Sequence, residues 1–190
     1  MGLRIRRVST KKDLDEVFRL RYRVYCASSG ENKPSDLRPE DYPDGRETDQ
    51  WDDYAVHFAA FDNGKAVGCL RLILGSCPFG FLMETAFKLP LDLNRKRGVE
   101  ASRMAVDPVM RSRGLKQKLD QAAMKWSLKN GYIWWCVAIR TFLLPPSRKA
   151  GWRIREIGKP VIYHDVLVQP IIVYLREKDY KEYCSQKEGR

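Results

Sequence analysis

Apolar and polar residues alternate over residues 3–8, which predicts a first strand, and Thr10 with Asp13 forms a capping box just after it. The helix that follows carries Leu14, Val17, Phe18, Tyr22 and Tyr25 at helical spacing, but Arg21 falls on the same apolar stripe. An inward guanidinium requires an acid or a ligand. Residues 27–53 then turn polar, with Gly30, Pro34, Pro39, Pro43 and Gly45, and are too long for an ordinary connection. This loop ends in a dense acidic group: Asp41, Asp44, Glu47, Asp49, Asp52 and Asp53. Asp62-Asn63-Gly64 between strand patterns at 54–61 and 65–74 predicts a hairpin, and Arg71 interrupts its second strand as another inward arginine.

The second half begins with a short helix expected over 81–89 and a basic loop, Arg95-Lys96-Arg97-Gly98. A strand over 99–106 follows, with Glu100, Ser102 and Arg103 set among apolar residues. The turn Arg111-Ser112-Arg113-Gly114 opens a helix whose Leu115, Leu119, Ala122, Ala123 and Trp126 form one stripe, closing at Asn130-Gly131. The apolar run 132–139 suits a central buried strand. A short helix, broken or restarted at Pro145-Pro146, ends at Gly151, and strands at 152–157 and 161–175 complete the pattern. This order predicts an α/β sandwich with a mixed sheet: one domain over residues 1–175 and a charged tail over 176–190.

Composition narrows the function classes. At 190 residues and 44% hydrophobic content the chain fits one domain, and no apolar run approaches the roughly 20 residues that span a bilayer. The expectation is a cytoplasmic protein without a membrane span. Five cysteines at irregular spacing read as packed thiols, and His57 and His164 are isolated in β-like sequence, so no metal site is expected. The formal net charge of +11 implies an acidic partner. Nucleic acid is one option, but no zinc-finger, basic-zipper or RNP-type pattern accompanies the charge. An acidic carrier protein fits equally well.

The three inward arginines, Arg21, Arg71 and Arg103, predict a buried network with Glu47, Asp49, Asp52 and Glu100 as partners. Such a network either pins the long loop to the sheet or builds a functional site; for the set as a whole a site is favoured. The 111–114 turn lies between a strand and a helix, where backbone N–H groups and the helix dipole attract a phosphate.

The succession of motifs resembles the GNAT acyltransferases, and within them the acyl-carrier-protein-dependent branch of acyl-homoserine-lactone synthases and long-chain N-acyl amino acid synthases. Phe18-Arg19-Leu20-Arg21-Tyr22-Arg23-Val24-Tyr25 is similar to its L-R-x-x-x-F/Y helix, and Glu47-Thr48-Asp49-Gln50-Trp51-Asp52 to its E-x-D-x-[FYW]-D loop. Gly68-Cys69-Leu70-Arg71-Leu72 looks like its G-x-x-R-L strand, and Glu100-Ala101-Ser102-Arg103 like its E-x-S-R strand. There are two departures. Ser28-Ser29-Gly30-Glu31 stands where lactone synthases have Gly-Trp, and Lys116 takes the last small position of the phosphate turn, which favours a carrier-protein donor over coenzyme A.

The resemblance implies a GNAT-like fold and transfer of a long-chain acyl group from acyl carrier protein to the amino group of an amino acid, with tyrosine one option. It assigns Glu100 and Arg103 to catalysis. Arg21, Arg71, Glu47, Asp49 and Asp52 would pin the loop or bind the acceptor. Met104, Val106, Arg111, Arg113, Gly114 and Lys116 would take the phosphopantetheine arm or its carrier, with backbone N–H groups near 104–106 holding the oxyanion. No permanently bound cofactor is implied. An apolar tunnel would draw on Phe79, Phe81, Leu82, Met83, Phe87, Trp134, Trp135, Phe142 and Leu143. Seven cations, Arg95, Lys96, Arg97, Arg111, Arg113, Lys116 and Lys118, are expected to surround the turn that receives the donor. The alternatives are a lactone synthase using S-adenosylmethionine and a basic nucleic-acid-binding module.

Overall fold

The computed structural model describes residues 2–27, 37–111, 114–163 and 165–178. Strand β1 (Arg4–Arg7) leads to Thr10, whose hydroxyl accepts the Asp13 N–H at 3.1 Å and caps helix α1 (Lys11–Arg21). The helix continues into a π-helical turn, Tyr22–Cys26. Strands β2 (Ala55–Asp62) and β3 (Lys65–Leu74) form the hairpin, with Asn63 and Gly64 at φ 48° and 84°. Two adjacent left-handed residues are what a two-residue turn needs to match strand twist, and Asn-Gly supplies them at little cost. Strand β4 (Gly98–Val106), helix α2 (Leu115–Lys129), strand β5 (Trp134–Arg140) and helix α3 (Leu144–Lys149) follow. Strands β6 (Arg153–Glu156), β7 (Val161–Tyr163) and β8 (Val166–Tyr174) close the sheet.

The strand order is β1-β2-β3-β4-β5-β8-β6, with β7 also on β8. Among the described residues every pairing is antiparallel except β4 with β5, which extends only from Gly98↔Trp134 to Glu100↔Cys136. Beyond that point β4 stays with β3 as far as Val106 and β5 stays with β8 as far as Arg140. The two strands therefore diverge, and a wedge opens in the middle of the sheet.

Helix α2 packs Leu119, Ala123 and Met124 onto Leu70, Leu72, Val99, Trp135 and Ile139 on one face. On the other face α1 sets Val17 and Leu20 against Ala59, Cys69 and Ala105. Beside α1, a single 3-10 turn (Leu82–Thr85) brings Phe81 and Met83 onto Ile73, Trp134 and Cys136. Each leucine-sized side chain taken fully out of water contributes about 1.5–3 kcal/mol.

Two elements differ from the sequence pattern, and the proline pair takes one of the two forms expected for it. The helix expected over 81–89 is only that turn, because Glu84 caps the Phe81 N–H at 2.7 Å and Phe87 leaves to pack on Tyr163. The helix expected to be broken or restarted at Pro145-Pro146 restarts there: a 3-10 turn, Thr141–Leu143, gives way to α3 with both prolines in its first turn, where a missing N–H costs no helical hydrogen bond. The long strand expected over 161–175 is two, β7 and β8, with Asp165 at φ 58° between them. His164, Cys184 and most of the charged tail, 179–190, lie outside the described residues.

Candidate active site

The three inward arginines arrive from three elements, and a bulge sets the third. Cys69 faces Ala105 while Arg71 faces Ser102, so three residues of β3 oppose four of β4. The extra residue falls at 103–104, and Arg103 adopts φ 51°. Strict alternation after Ser102 would put Arg103 on the α2 face; the bulge instead sends its side chain to the α1 face, among the acids.

The acids come from residues 47–52, tied to α1 where the Glu47 N–H bonds the Phe18 carbonyl at 3.2 Å. Arg21 donates from Nε to Glu47 and from Nη1 to Asp52 Oδ1 at 2.7 Å. Arg71 Nη1 reaches Asp49 Oδ1 at 2.6 Å and Asp52 Oδ1 at 2.8 Å, while its Nε donates to Ser102 Oγ at 3.0 Å. Arg103 gives Nε to Glu47 Oε1 at 3.0 Å and Nη2 to Asp49 Oδ2 at 3.1 Å. Each acid thus bridges two arginines, closing a ring: Arg21, Glu47, Arg103, Asp49, Arg71, Asp52 and back to Arg21. For Arg21, Asp52 and Arg103 burial disfavours the charge, but the opposite charges beside them outweigh it. Asp52 stays below the usual carboxylate range despite burial because Arg21 and Arg71 flank it. Burial pushes His57, 3.7 Å from Asp52, down to about 4 against the carboxylate's pull.

Glu100 is not in the ring. Its carboxylate points towards the 82–85 turn and accepts the Met83 N–H at 3.1 Å. Burial pushes it up to about 7, opposed in part by that hydrogen bond and by Arg71.

The wedge between β4 and β5 is a cavity of about 770 Å³ that passes through the sheet. Leu70, Ala101, Trp135, Val137 and Ile139 form its apolar waist. On the α2 side its wall carries Arg111, Lys116, Asp120, Phe142, Leu143 and Trp152. Gly114, at φ 69°, starts α2 there, and the first-turn N–H groups of a helix lack intrahelical partners. Lys116 Nζ bonds Asp120 at 2.7 Å and stands 5.3 Å from the Trp152 ring centre. On the α1 side the wall carries Val24, Tyr25, Ser102, Arg103, Ala138 and Arg140. The Tyr25 hydroxyl donates to the Met104 carbonyl at 2.7 Å, bracing the bulge.

Of the residues singled out in the sequence, Arg103, Met104, Val106, Arg111 and Lys116 line this cavity. Gly114 sits at its α2 edge, and Arg113 lies outside the described residues. Arg21 and Arg71 are enclosed in the ring, and Glu100 stands behind the wall, two residues from Ser102 on the same face of β4. The expected tunnel divides. Trp135, Phe142 and Leu143 line the cavity, whereas Phe81, Leu82, Met83, Phe87 and Trp134 form a separate cluster and Phe79 is exposed against Tyr54.

The expected single cluster of cations is corrected too. Arg95, Lys96 and Arg97 precede β4 and Arg111 follows it, and a nine-residue strand separates the groups by roughly 30 Å. Sequence reasoning missed Arg140, which stands one residue beyond the expected end of its strand, and Tyr25, hidden as another member of an apolar stripe.

Residues 16–173 match the family of the N-acyl amino acid synthase FeeM. The chain belongs to this family. It is also 28% identical over 161 residues to an acyl-homoserine-lactone synthase of Rhizobium radiobacter, covering 78% of this chain and 72% of that protein. Among solved structures it is similar to BjaI, a CoA-dependent acyl-homoserine lactone synthase, with TM-score 0.81, 24% identity and coverage of 96% and 88%. FeeM itself, from uncultured soil microbes, superposes with TM-score 0.67 at 15% identity, over 96% of this chain and 94% of that one. These structural matches establish the GNAT-like fold, and the family membership makes the chain an acyltransferase that acts on an amino group.

Proposed function

We propose that this enzyme transfers a long-chain acyl group from acyl carrier protein to the α-amino group of an amino acid. The observation that carries this reading is the cavity through the sheet, which has an anion-attracting helix start at one mouth and a polar, arginine-bearing wall at the other. The phosphopantetheine arm enters on the α2 side, its phosphate meeting the N–H groups after Gly114 with Arg111 and Lys116 alongside. Its thioester lies in the wedge, and the acceptor enters from the α1 side.

The amine attacks the thioester carbonyl. Backbone N–H groups of the bulged segment at 104–106 stabilise the oxyanion, and the thiolate leaves as the amide forms. Glu100 takes the ammonium proton through Ser102 or a water, since its carboxylate stands behind the wall and its affinity for a proton is matched to neutral pH. Arg103 closes the ring that holds the acidic loop and faces the reacting groups.

Incubation with acyl carrier protein charged with a C12–C16 chain and a mixture of the amino acids, followed by mass spectrometry, tests the reading: one or more N-acyl amino acids should form. A second reading is favoured by the likeness to the Rhizobium radiobacter protein. Acyl-homoserine lactone formed from S-adenosylmethionine, with no N-acyl amino acid, would establish it.

A further inference from the structure

We infer that Arg140 is the residue that binds the acceptor's carboxylate and so restricts the enzyme to amino acids over simple amines. The inference rests on the proposed acyl transfer to an amino acid and identifies how that acceptor is selected. An α-amino acid presents a carboxylate about two bonds from the attacking nitrogen, and a cation on the acceptor side of the cavity would pair with it.

The arginines that the sequence offers for this role belong to the ring. The Arg21 and Arg71 side chains are only 0% and 1% exposed and lie within the ring, away from the cavity wall. Arg103 reaches the wall, but Nε and Nη2 are given to Glu47 and Asp49. Turning it towards a substrate would leave buried carboxylates unpaired, at a cost of several kcal/mol.

Arg140 satisfies the geometry. It is the last residue of β5, where the wedge is widest, four residues past the final β4 pairing at Cys136. Register from Trp134 to Arg140 is continuous against β8, so alternation puts Arg140 on the same face as Trp134 and Cys136. That is the face of Ser102 and the re-aimed Arg103, opposite to α2 and the anion-attracting helix start. Arg140 is half-buried and lines the cavity. A planar guanidinium there can take a carboxylate in two parallel hydrogen bonds, which a lysine ammonium cannot reproduce. The substrate's amine then points inward, to Ser102 and the thioester.

The test compares wild type, Arg140→Gln and Arg140→Lys in two assays. With acyl donor saturating, Arg140→Gln should raise KM for the accepted amino acid at least about tenfold and change kcat less than about threefold, while its kcat/KM for the matching decarboxylated amine stays within about threefold of wild type. Arg140→Lys should recover part of the KM. Calorimetric titration supplies a readout independent of turnover: wild type should bind a short N-acyl amino acid about tenfold or more tighter than its carboxamide, a preference that Arg140→Gln abolishes. An equal loss for amino acid and amine, or an undiminished carboxylate preference in Arg140→Gln, overturns the assignment. Absence of acyl transfer in wild type rejects the proposed reaction, and the titration still decides whether Arg140 holds a carboxylate. Thermal melting of both variants checks that neither has merely unfolded.

Discussion

Two buried titratable residues outside the ring, Glu100 and His57, give opposite pH signatures. Glu100 is raised from 4.5 to about 7 in the fold, so its contribution to stability is fully present below pH 4.5 and is lost as pH rises through 7. His57 is lowered from 6.5 to about 4, so its contribution is present above pH 6.5 and is lost as pH falls through 4. Between pH 4.5 and 6.5 the two slopes oppose each other and largely cancel. Glu100→Gln keeps an acceptor for the Met83 N–H and removes only the Glu100 slope. It should therefore match wild type near pH 4.5 and become more stable by about 3 kcal/mol above pH 7, an order-of-magnitude figure from the size of the shift. Urea denaturation at half-unit pH steps measures this, and a stability difference that does not vary with pH would show that Glu100 is not raised. The same variant should lose at least about tenfold in kcat, together with the acid limb of the pH–rate profile near 7. A gain in stability paired with a loss of turnover separates a strained functional carboxylate from a structural one.

At the scale of elements, the ring holds the acidic loop to the sheet and the short parallel pairing sets the wedge. Arg71→Ala leaves Asp49 and Asp52 with one arginine each in a buried setting, and should destabilise by about 3–5 kcal/mol. Limited proteolysis should then cut first in residues 46–54; unchanged melting and cleavage would show that the ring does not hold the loop. Gly98 begins the only parallel pairing among the described residues, and a Cβ there would stand 2.1 Å from the Trp134 indole. Gly98→Ala must push β4 and β5 apart where the wedge is hinged, and should cost about 1–3 kcal/mol, read as a lower urea midpoint at an unchanged slope. These elements also show what a sequence exposes. Arg21 and Arg71 were legible as inward because a charge on an apolar stripe breaks a local period. The hairpin turn was legible because Asn-Gly answers a local backbone demand. Arg103 was expected in the same network, but the bulge that brings it there was not legible, since only the pairing with β3 defines it. Nor was the separation of the two basic groups, because adjacency in a motif list says nothing about which ends of a strand they occupy. Arg140 was hidden for the same reason: its place in the cavity follows from strand divergence, a property of two strands together.

The distribution of charge over the whole molecule turns the donor question into an experiment with an internal control. Of the cations singled out in the sequence, Arg95, Lys96 and Arg97 lie at one end of β4 and Arg111 and Lys116 towards the other, and among these Arg111 and Lys116 line the cavity. An acidic carrier protein should dock at that end, since opposite potentials raise the encounter rate and salt screens them. Lys116 also packs its ammonium over Trp152 and pairs with Asp120, so it shapes the mouth as well as charging it. Replacing Arg111 and Lys116 together by Glu should raise KM for acyl carrier protein by about tenfold or more at low salt, with the gap to wild type closing as ionic strength rises. The exposed Lys96, at the far end of the strand, supplies the control: Lys96→Glu changes net charge by the same amount per site and should leave KM within about twofold. An acyl-pantetheine donor lacks the carrier surface and should be affected little by either change. If it suffers as much as the carrier protein does, Arg111 and Lys116 grip the pantetheine arm itself. If Lys96→Glu is as harmful as the double variant, the effect belongs to net charge rather than to a docking site. A wild-type enzyme that uses acyl-CoA as efficiently as acyl carrier protein, and equally at all salt concentrations, would show that the basic mouth recognises the phosphate of the donor and not a protein partner.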